Sequence, residues 1–424
     1  MKKFQSVRGM RDILPSESRA YRALENILIS TVQQYGYEEI KTPILEDTNL
    51  FIKSIGNGTD IVDKEMYTFV DSKSKSFSMR PEGTASCVRA IIENGLQESI
   101  NKLWYSGPFF RHERPQKGRY RQFHQFGIEF IGVKTHVADF EIINLANSIW
   151  KNIGISPQLK INNIGDPNDR KKYIEILKKY LNKYKSDFDD NEKNKLINNT
   201  LRILDSKNPK LKEIIESAPR IEDYISSESQ KNFQKLLKLL NDENISYTRD
   251  YKLVRGLDYY NDLVFEYTDD TDVTQNTLCA GGRYDFLFKS MCDKEIPALG
   301  FAIGMERLLE HIDYKIESSD TVSFYMAILD EKYFSYSQKV SNIIRNISKK
   351  YNVSTSYNFS NLKAQLKKAN KISANYCVII GDEEVKNNEC QIKDMALGSQ
   401  KTVNIDELNK YLKPDKNLEY KENE

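Results

Sequence analysis

The stretch PFFRHERPQKGRYRQFHQFGIEF, residues 108–130, constrains the fold of this chain more than any other. Two apolar runs flank a polar loop, the pattern of two strands joined through a long connection. Successive side chains of a strand point to opposite faces, so His124, Phe126, Ile128 and Phe130 share one face. Phe123, Gln125, Gly127 and Glu129 share the other. The first face is ordinary core. The second sets a ring, an amide, a gap and a carboxylate in a row inside an apolar strand. An unpaired buried carboxylate is too costly to keep, so Glu129 needs either water at a half-solvated sheet face or a partner in a cleft.

The loop between the two runs carries Arg111, Arg114, Lys117, Arg119 and Arg121 against Glu113, a local charge of +4. It reads either as a solvated basic loop or as a phosphate-binding hairpin, with Arg111 at the strand end aiming its guanidinium fork. Two further arginines stand in apolar surroundings: Arg255 in LVRGLDYYNDLVFEY and Arg307 in PALGFAIGMERLLE. AGGRYD adds two glycines that permit close backbone approach, followed by Arg283 and Tyr284. Arg111, Arg255 and Arg307, isolated on separate elements, point to a polyanion site. There is no G-x-x-x-x-G-K-[ST] and no dinucleotide-binding glycine fingerprint, so arginines would have to hold the phosphates of a bound nucleotide.

Around this centre the chain divides by pattern. Helical spacing from Tyr21 to Tyr35 follows a candidate cap at Ser16 and ends at Gly36. EEIKTPIL reads as a strand that Pro43 confines to an edge, bulge or interface. MYTFVD reads as another strand, and MRPEGTASCVRAIIENG as a turn feeding a helix capped by Thr84, with Val88, Ile91 and Ile92 buried. A helix is expected over Asp139–Trp150. Between residues 165 and 249 the segments DPNDRKKYIEILKKYLNKY and SQKNFQKLLKLLNDENI are amphipathic and Lys-rich, the pattern of a helical module inserted into a mainly β domain. After the polar connector IDYKIESSDT, strand-like and helix-like runs alternate, as in a small α/β domain with a parallel or mixed sheet. These patterns divide the chain into a mainly β domain over 1–320 interrupted at 165–249, an α/β domain over 321–414 and a frayed tail over 415–424.

Composition narrows the class. The length suggests two or three domains at about 150 residues each. Sixty-three Lys and Arg against sixty-one Asp and Glu leave +2, so any nucleic-acid surface must be local. Five scattered cysteines without a C-x-x-C exclude a disulfide scaffold and a zinc-ligand pattern, and suit a reducing compartment. No apolar run reaches the roughly 18 residues of a membrane span, and MKKFQSVRGMRDILPSES has no signal-peptide core. A soluble cytoplasmic protein with no membrane partner is expected.

These residues resemble the class II aminoacyl-tRNA synthetases, and within them the histidyl-tRNA synthetase family. YGYEEIKTPILED is similar to the first class motif, FRHERPQKGRYRQFHQFGIE to the second and GFAIGMERL to the third. LVRGLDYY and AGGRYD are more specific and resemble the family's two histidine signatures; VRGMRDILP and RPEGT also fit. The resemblance implies an α+β architecture: a class II antiparallel catalytic sheet flanked by helices, a helical insertion and a C-terminal α/β anticodon-binding domain. It further implies a homodimer with the Pro43 strand in its interface. The implied reaction joins L-histidine and ATP into histidyl-adenylate and then passes the histidyl group to the 3′ end of histidine tRNA.

The resemblance also implies roles, position by position. Arg111 and Arg255 are the catalytic residues, gripping the α-phosphate from opposite sides; Arg307 lies along adenine and the γ-phosphate. Phe123 stacks on adenine and Glu113 meets its amino group. Glu82, Thr84 and Gln125 receive the α-ammonium of histidine, Glu129 and Tyr260 take one imidazole nitrogen each, and Tyr259 and Tyr284 close the pocket. The substrate is then the partner that Glu129 lacks. A pocket that contacts both ring nitrogens rejects analogues lacking one by roughly 10⁴–10⁵, which accords with no editing domain. Mg2+ is expected to arrive on ATP without a dedicated protein cage, and the four histidines His112, His124, His136 and His311 form no ligand set. Gln116, Lys117 and Arg119 are implied to meet the tRNA acceptor end. Lys363, Lys367, Lys368 and Lys371 form either a contact to the tRNA backbone or a solvated helix face. The competing readings are a synthetase-like regulatory subunit of histidine biosynthesis, a prolyl or threonyl enzyme, and a non-enzymatic RNA-binding module.

Overall fold

In the computed structural model, which describes residues 4–56, 59–206, 208–269, 277–312 and 321–412, the chain divides into two units, Met1–Ile316 and Glu317–Glu424. Helix α1 (Pro15–Gln34) starts on Pro15 rather than on a capping Ser16: the fixed φ of proline suits the first turn, where its missing N–H leaves nothing unpaired. It stops at Gly36, whose φ of +78° few other residues tolerate. The run through Pro43 is two short strands, β1 (Glu38–Glu39) and β2 (Leu45–Asp47), not one. They belong to different sheets, and Pro43, with no N–H to donate, lies in the turn between them. Helix α2 (Thr48–Ile55) follows, then β3 (Thr68–Val70) and β4 (Ser76–Met79), which complete a small sheet of order β2-β4-β3.

The rest of the first unit is built on one large sheet. Helix α3 (Thr84–Glu93) leads to the long strands β5 (Asn101–Phe110) and β6 (Gln122–Ile131), helix α4 (His136–Ile153) and β7 (Gln158–Asn163). Helices α5 (Pro167–Leu181), α6 (Asp190–Asn198), α7 (Lys212–Glu216) and α8 (Ser227–Asp242) come next. The chain then returns through β8 (Thr248–Arg249), β9 (Asn261–Thr268), β10 (Thr277–Arg283), α9 (Leu287–Cys292), β11 (Ala298–Gly304) and α10 (Met305–His311). The sheet order is β1-β5-β6-β11-β10-β9-β7-β8. Its inner pairs are antiparallel and its two-residue edge strands pair in parallel, so the unit is α+β around an antiparallel-rich sheet, as the resemblance implies.

One sheet face is sealed by α1, α4, α8 and α10 in a cluster that includes Leu28, Phe126, Ile128, Ile142, Leu240 and Phe265. The other face meets α3, α5 and α9 around Ile91, Tyr173, Leu177, Val264 and Phe288. The helical stretch 165–249 thus shares both cores with the sheet: Phe233 and Leu236 of α8 belong to the first and Leu181 of α5 to the second. Arg283 is 3% exposed and held by Asp139 at 2.7 Å and Asp285 at 3.0 Å, so it ties β10 to α4 rather than serving a ligand.

The second unit is a five-stranded sheet of order β13-β12-β14-β15-β16: β12 (Val322–Ile328), β13 (Tyr351–Thr355), β14 (Tyr376–Ile380), β15 (Glu389–Asp394) and β16 (Gln400–Asn404). The pairs of β12 with β13 and β14 are parallel and the other two antiparallel, a mixed sheet. Helices α11 (Phe334–Ile347), α12 (Leu362–Lys371), α13 (Asp382–Asn387) and α14 (Leu408–Tyr411) accompany it, with Phe324, Val340, Ile344 and Val378 in its core. The 415–424 tail and most of the connector before β12 lie outside the described residues.

Candidate active site

On the sheet face turned toward α3, a cavity of about 280 Å³ opens over β6, β11, β10 and β9, and Arg111, Arg255 and Arg307 all line it. The sheet order brings them together: Arg111 follows β5, Arg255 precedes β9, and Arg307 rides in the first turn of α10 behind β11. Arg111 donates Nε to the Pro81 carbonyl at 2.8 Å. Arg307 donates Nη1 to the Thr277 carbonyl at 3.0 Å and Nε to that of Gly118 at 3.4 Å. Arg255 is ion-paired with Glu266 of β9, and its buried Nε has no hydrogen-bond partner among the described residues.

The electrostatics follow from the crowding. Burial, then the neighbouring charges of Arg119 and Arg111, push the Arg307 guanidinium below its usual value, despite Glu113 and Glu266. Burial opposes the charge on Arg255 too, but Glu266, Tyr260 and Tyr259 outweigh it and raise the group. The carboxylates of the lining are engaged: Glu266 with Arg255, Glu113 with Arg119, and Glu306 with the backbone and ring nitrogens of His124. An anion here would meet two guanidinium groups, of Arg111 and Arg307, already fixed by backbone carbonyls, and a third, of Arg255, held by Glu266.

At the cavity's aromatic end Phe123 carries the Arg111 guanidinium 5.5 Å from its ring centre and packs against Phe109. The hairpin above it turns tightly, with backbone bonds between Gln116 and Arg119 around Gly118 at φ +68°. Gln116 and Lys117 are exposed at its tip, whereas Arg119 folds inward onto Glu113 and lines the cavity. The three residues expected to act together at one surface therefore face two ways, because a buried carboxylate draws one of them in.

The opposite end is a nest of carboxylates and tyrosines. Thr84 was expected to cap α3, but it is the first helical residue, and Glu82 takes over by accepting from the amides of Thr84 at 2.7 Å and Ala85 at 2.8 Å. That leaves the Thr84 hydroxyl to donate to Glu129 at 2.8 Å. Glu129 also accepts from Tyr284 and, at 3.4 Å, from Tyr105. Its carboxylate is 1% exposed and sits behind Gly300, where a Cβ would come within 2.2 Å of it. Glu129 therefore has three protein hydroxyls as partners before any substrate arrives. Burial nonetheless pushes its carboxyl up to about 8, against the pull of those hydroxyls. Tyr259 and Tyr260 line the cavity with ring centres 4.7 Å apart, and Tyr284 stands behind them, 5.6 Å from Tyr259. The Gln125 side-chain oxygen is buried without a partner among the described residues, an acceptor in want of a donor.

Tyr105 is the member that sequence reasoning missed. It lies directly opposite Gly127 in the β5–β6 ladder and fills the gap on the polar face; a Cβ at Gly127 would lie 2.1 Å from its ring, and one at Gly83 2.2 Å. Counting back from the hairpin would have paired them. The Glu306–His124 pair carries no such signal, since it joins segments 182 residues apart; the Glu266–Arg255 pair lies within LVRGLDYYNDLVFEY, but the irregular loop between them breaks the alternation that would have paired them.

A family model described as histidyl-tRNA synthetase matches residues 9–308, and one described as an anticodon binding domain matches residues 322–414. The histidine–tRNA ligase of Ruthia magnifica is 41% identical over 420 residues, spanning 98% of this chain and 100% of that protein. That of Legionella pneumophila (strain Lens) is 42% identical over 417 residues, 97% of this chain and 98% of its own. Among solved structures, apo histidyl-tRNA synthetase of S. aureus superposes with a TM-score of 0.79 at 33% identity, covering 96% of this chain and 99% of that one.

Proposed function

Since the chain belongs to the histidyl-tRNA synthetase family and so joins histidine to tRNA at the expense of ATP, we propose the following division of labour among its cavity residues. The histidine carboxylate oxygen attacks the α-phosphorus of ATP, the bond to the bridging oxygen breaks, and pyrophosphate leaves. Arg111 and Arg255 flank that phosphate and neutralise the charge that keeps the two anions apart. Fixed cations aimed where charge builds lower the barrier without reorganising, so these two carry the rate. Arg307 runs along adenine and the γ-phosphate, Phe123 stacks on the base and Glu113 meets its amino group. The observation that carries the reading is the meeting of three distant arginines in one cavity whose other end offers unpaired or polar acceptors.

Histidine occupies the tyrosine-lined end, its ammonium at Glu82, Thr84 and Gln125 and its ring between Glu129 and Tyr260, closed in by Tyr259 and Tyr284. The partnerless Gln125 oxygen and the hydroxyl-lined Glu129 support this. Mg2+ would come with ATP and supply charge neutralisation at its phosphates; with Glu113 given to the adenine amino group, Glu266 is the hard oxygen donor of the lining that would face it, on giving up part of its pairing with Arg255. In the second step the terminal ribose hydroxyl of the tRNA attacks the acyl carbon and AMP leaves, with a phosphate oxygen of the adenylate taking the proton. Gln116 and Lys117 at the hairpin tip meet the acceptor end, and Arg119 bridges from that tip to the cavity.

The active form is a homodimer in the cytoplasm. In support, Ile44, Leu45, Phe69 and Val70 leave an apolar patch on the small sheet beside Pro43. No described helix is long and apolar enough to cross a membrane, and all five cysteines are free thiols. Pyrophosphate exchange measured with each of the twenty amino acids tests the substrate: exchange should require histidine and magnesium. Equal exchange with another amino acid would overturn the pocket assignment.

A further inference from the structure

The loop that carries Arg255, Tyr259 and Tyr260 is part of no helix or strand, so no ladder of its own holds it. Its side chains alternate. Arg255, Leu257 and Tyr259 line the cavity, while Gly256 and Asp258 meet the helical stretch 165–249. Arg202, in a 3-10 turn over Thr200–Ile203, donates Nη2 to the Gly256 carbonyl at 3.3 Å. Arg170 of α5 donates Nη1 to the Asp258 carbonyl at 3.1 Å, and Asn199 donates to the Asp258 carboxylate at 3.4 Å. On the far side the Asp258 amide donates to the carbonyl of Ile55, the last residue of α2, at 3.1 Å. The fit is close: a Cβ at Gly256 would lie 2.9 Å from Arg202 Nη2, and one at Gly56 2.6 Å from the Asp258 carboxylate.

We infer that Arg202, assisted by Arg170, is a positioning residue: the helical stretch grips the backbone of the Arg255–Tyr260 loop and so aims Arg255 into the cavity. The glycine and aspartate of LVRGLDYY are then the docking points for those arginines, and its arginine and tyrosines the working groups. The inference rests on the reading of Arg255 as the cation that faces the α-phosphate. It makes the activation rate depend on a stretch of chain that does not itself line the cavity.

A double-mutant cycle on the full chain tests it, with histidine-dependent pyrophosphate exchange as the readout and thermal melting as the check on folding. Arg202→Ala should lower kcat about tenfold, the loss of roughly one charge-assisted hydrogen bond's worth of aim, with the Michaelis constant for ATP little changed. In the Arg255→Ala background the same change should cost less than about twofold, because there is no guanidinium left to aim. Arg202→Lys, which keeps a charged donor, should recover part of the rate. Should Arg202→Ala fail to fold, Gly256→Ala presses on the same contact from the loop side and enters the same cycle. A tenfold loss that persists undiminished without Arg255, or wild-type kcat in Arg202→Ala, would overturn the inference while leaving the cavity reading intact. Wild-type kcat in Arg255→Ala would bring down the cavity reading and the inference together.

Discussion

Replacing Glu129 by glutamine tests the buried carboxyl that organises the histidine end. The side chain is 1% exposed and its carboxyl is pushed up from 4.5 to about 8 by burial. Above pH 4.5 the unfolded chain has lost this proton while the folded chain keeps it. Stability therefore falls as pH rises from 4.5 toward 8, by about 1.4 kcal/mol per pH unit, and levels off beyond. Between pH 6 and pH 9 the loss amounts to about 2.6 kcal/mol. A unit spanning Met1–Ile316 melts with an entropy of about 2.1 cal/mol/K per residue, so each kcal/mol moves its midpoint by about 1.5 °C. Glutamine has the shape of the protonated acid and does not titrate. Calorimetric melting of both proteins at pH 6 and pH 9 should show the wild type losing about 4 °C more than Glu129→Gln over that interval. At pH 9, where the wild-type carboxyl is ionised, the variant should bind histidine roughly 10- to 150-fold more weakly, the loss of a charged hydrogen bond of about 1.5–3 kcal/mol. Parallel melting curves would refute the raised carboxyl, and unchanged histidine affinity would move the imidazole contact elsewhere.

Two further substitutions probe the supports. Gly127→Ala drives a methyl to within 2.1 Å of the Tyr105 ring; it should destabilise by about 1–3 kcal/mol and raise the Michaelis constant for histidine, measured in the exchange assay, more than that for ATP. Asp139→Asn leaves Arg283 buried with only Asp285 as a carboxylate partner, and should lower the melting midpoint by roughly 5–7 °C through a loss of about 3–5 kcal/mol, with kinetic constants little changed in the surviving protein.

Much of the site was legible locally because strand alternation is a local rule. The period of two in FHQFGIEF placed Phe123, Gln125, Gly127 and Glu129 on one face, and the ladder agrees. Helix caps were less legible. Ser16 and Thr84 have the right chemistry for caps, but a proline preempted the first and the carboxylate of Glu82 the second. Pro43 marked its strand as one for an edge, bulge or interface, without showing that the run would split between two sheets.

What the amino-acid order alone determined was which side chains would be thrown together along a single strand, since pleat and hydropathy act over neighbouring residues. It marked Arg111, Arg255 and Arg307 as misplaced in apolar surroundings and Glu129 as short of a partner. Only the folded sheet decided that the three guanidinium groups share a wall, that Tyr105 fills the space over Gly127, and that Arg202 reaches the loop of Arg255. Those meetings depend on strand order and helix docking across scores of residues, and local periodicity carries no information about which distant element will arrive alongside.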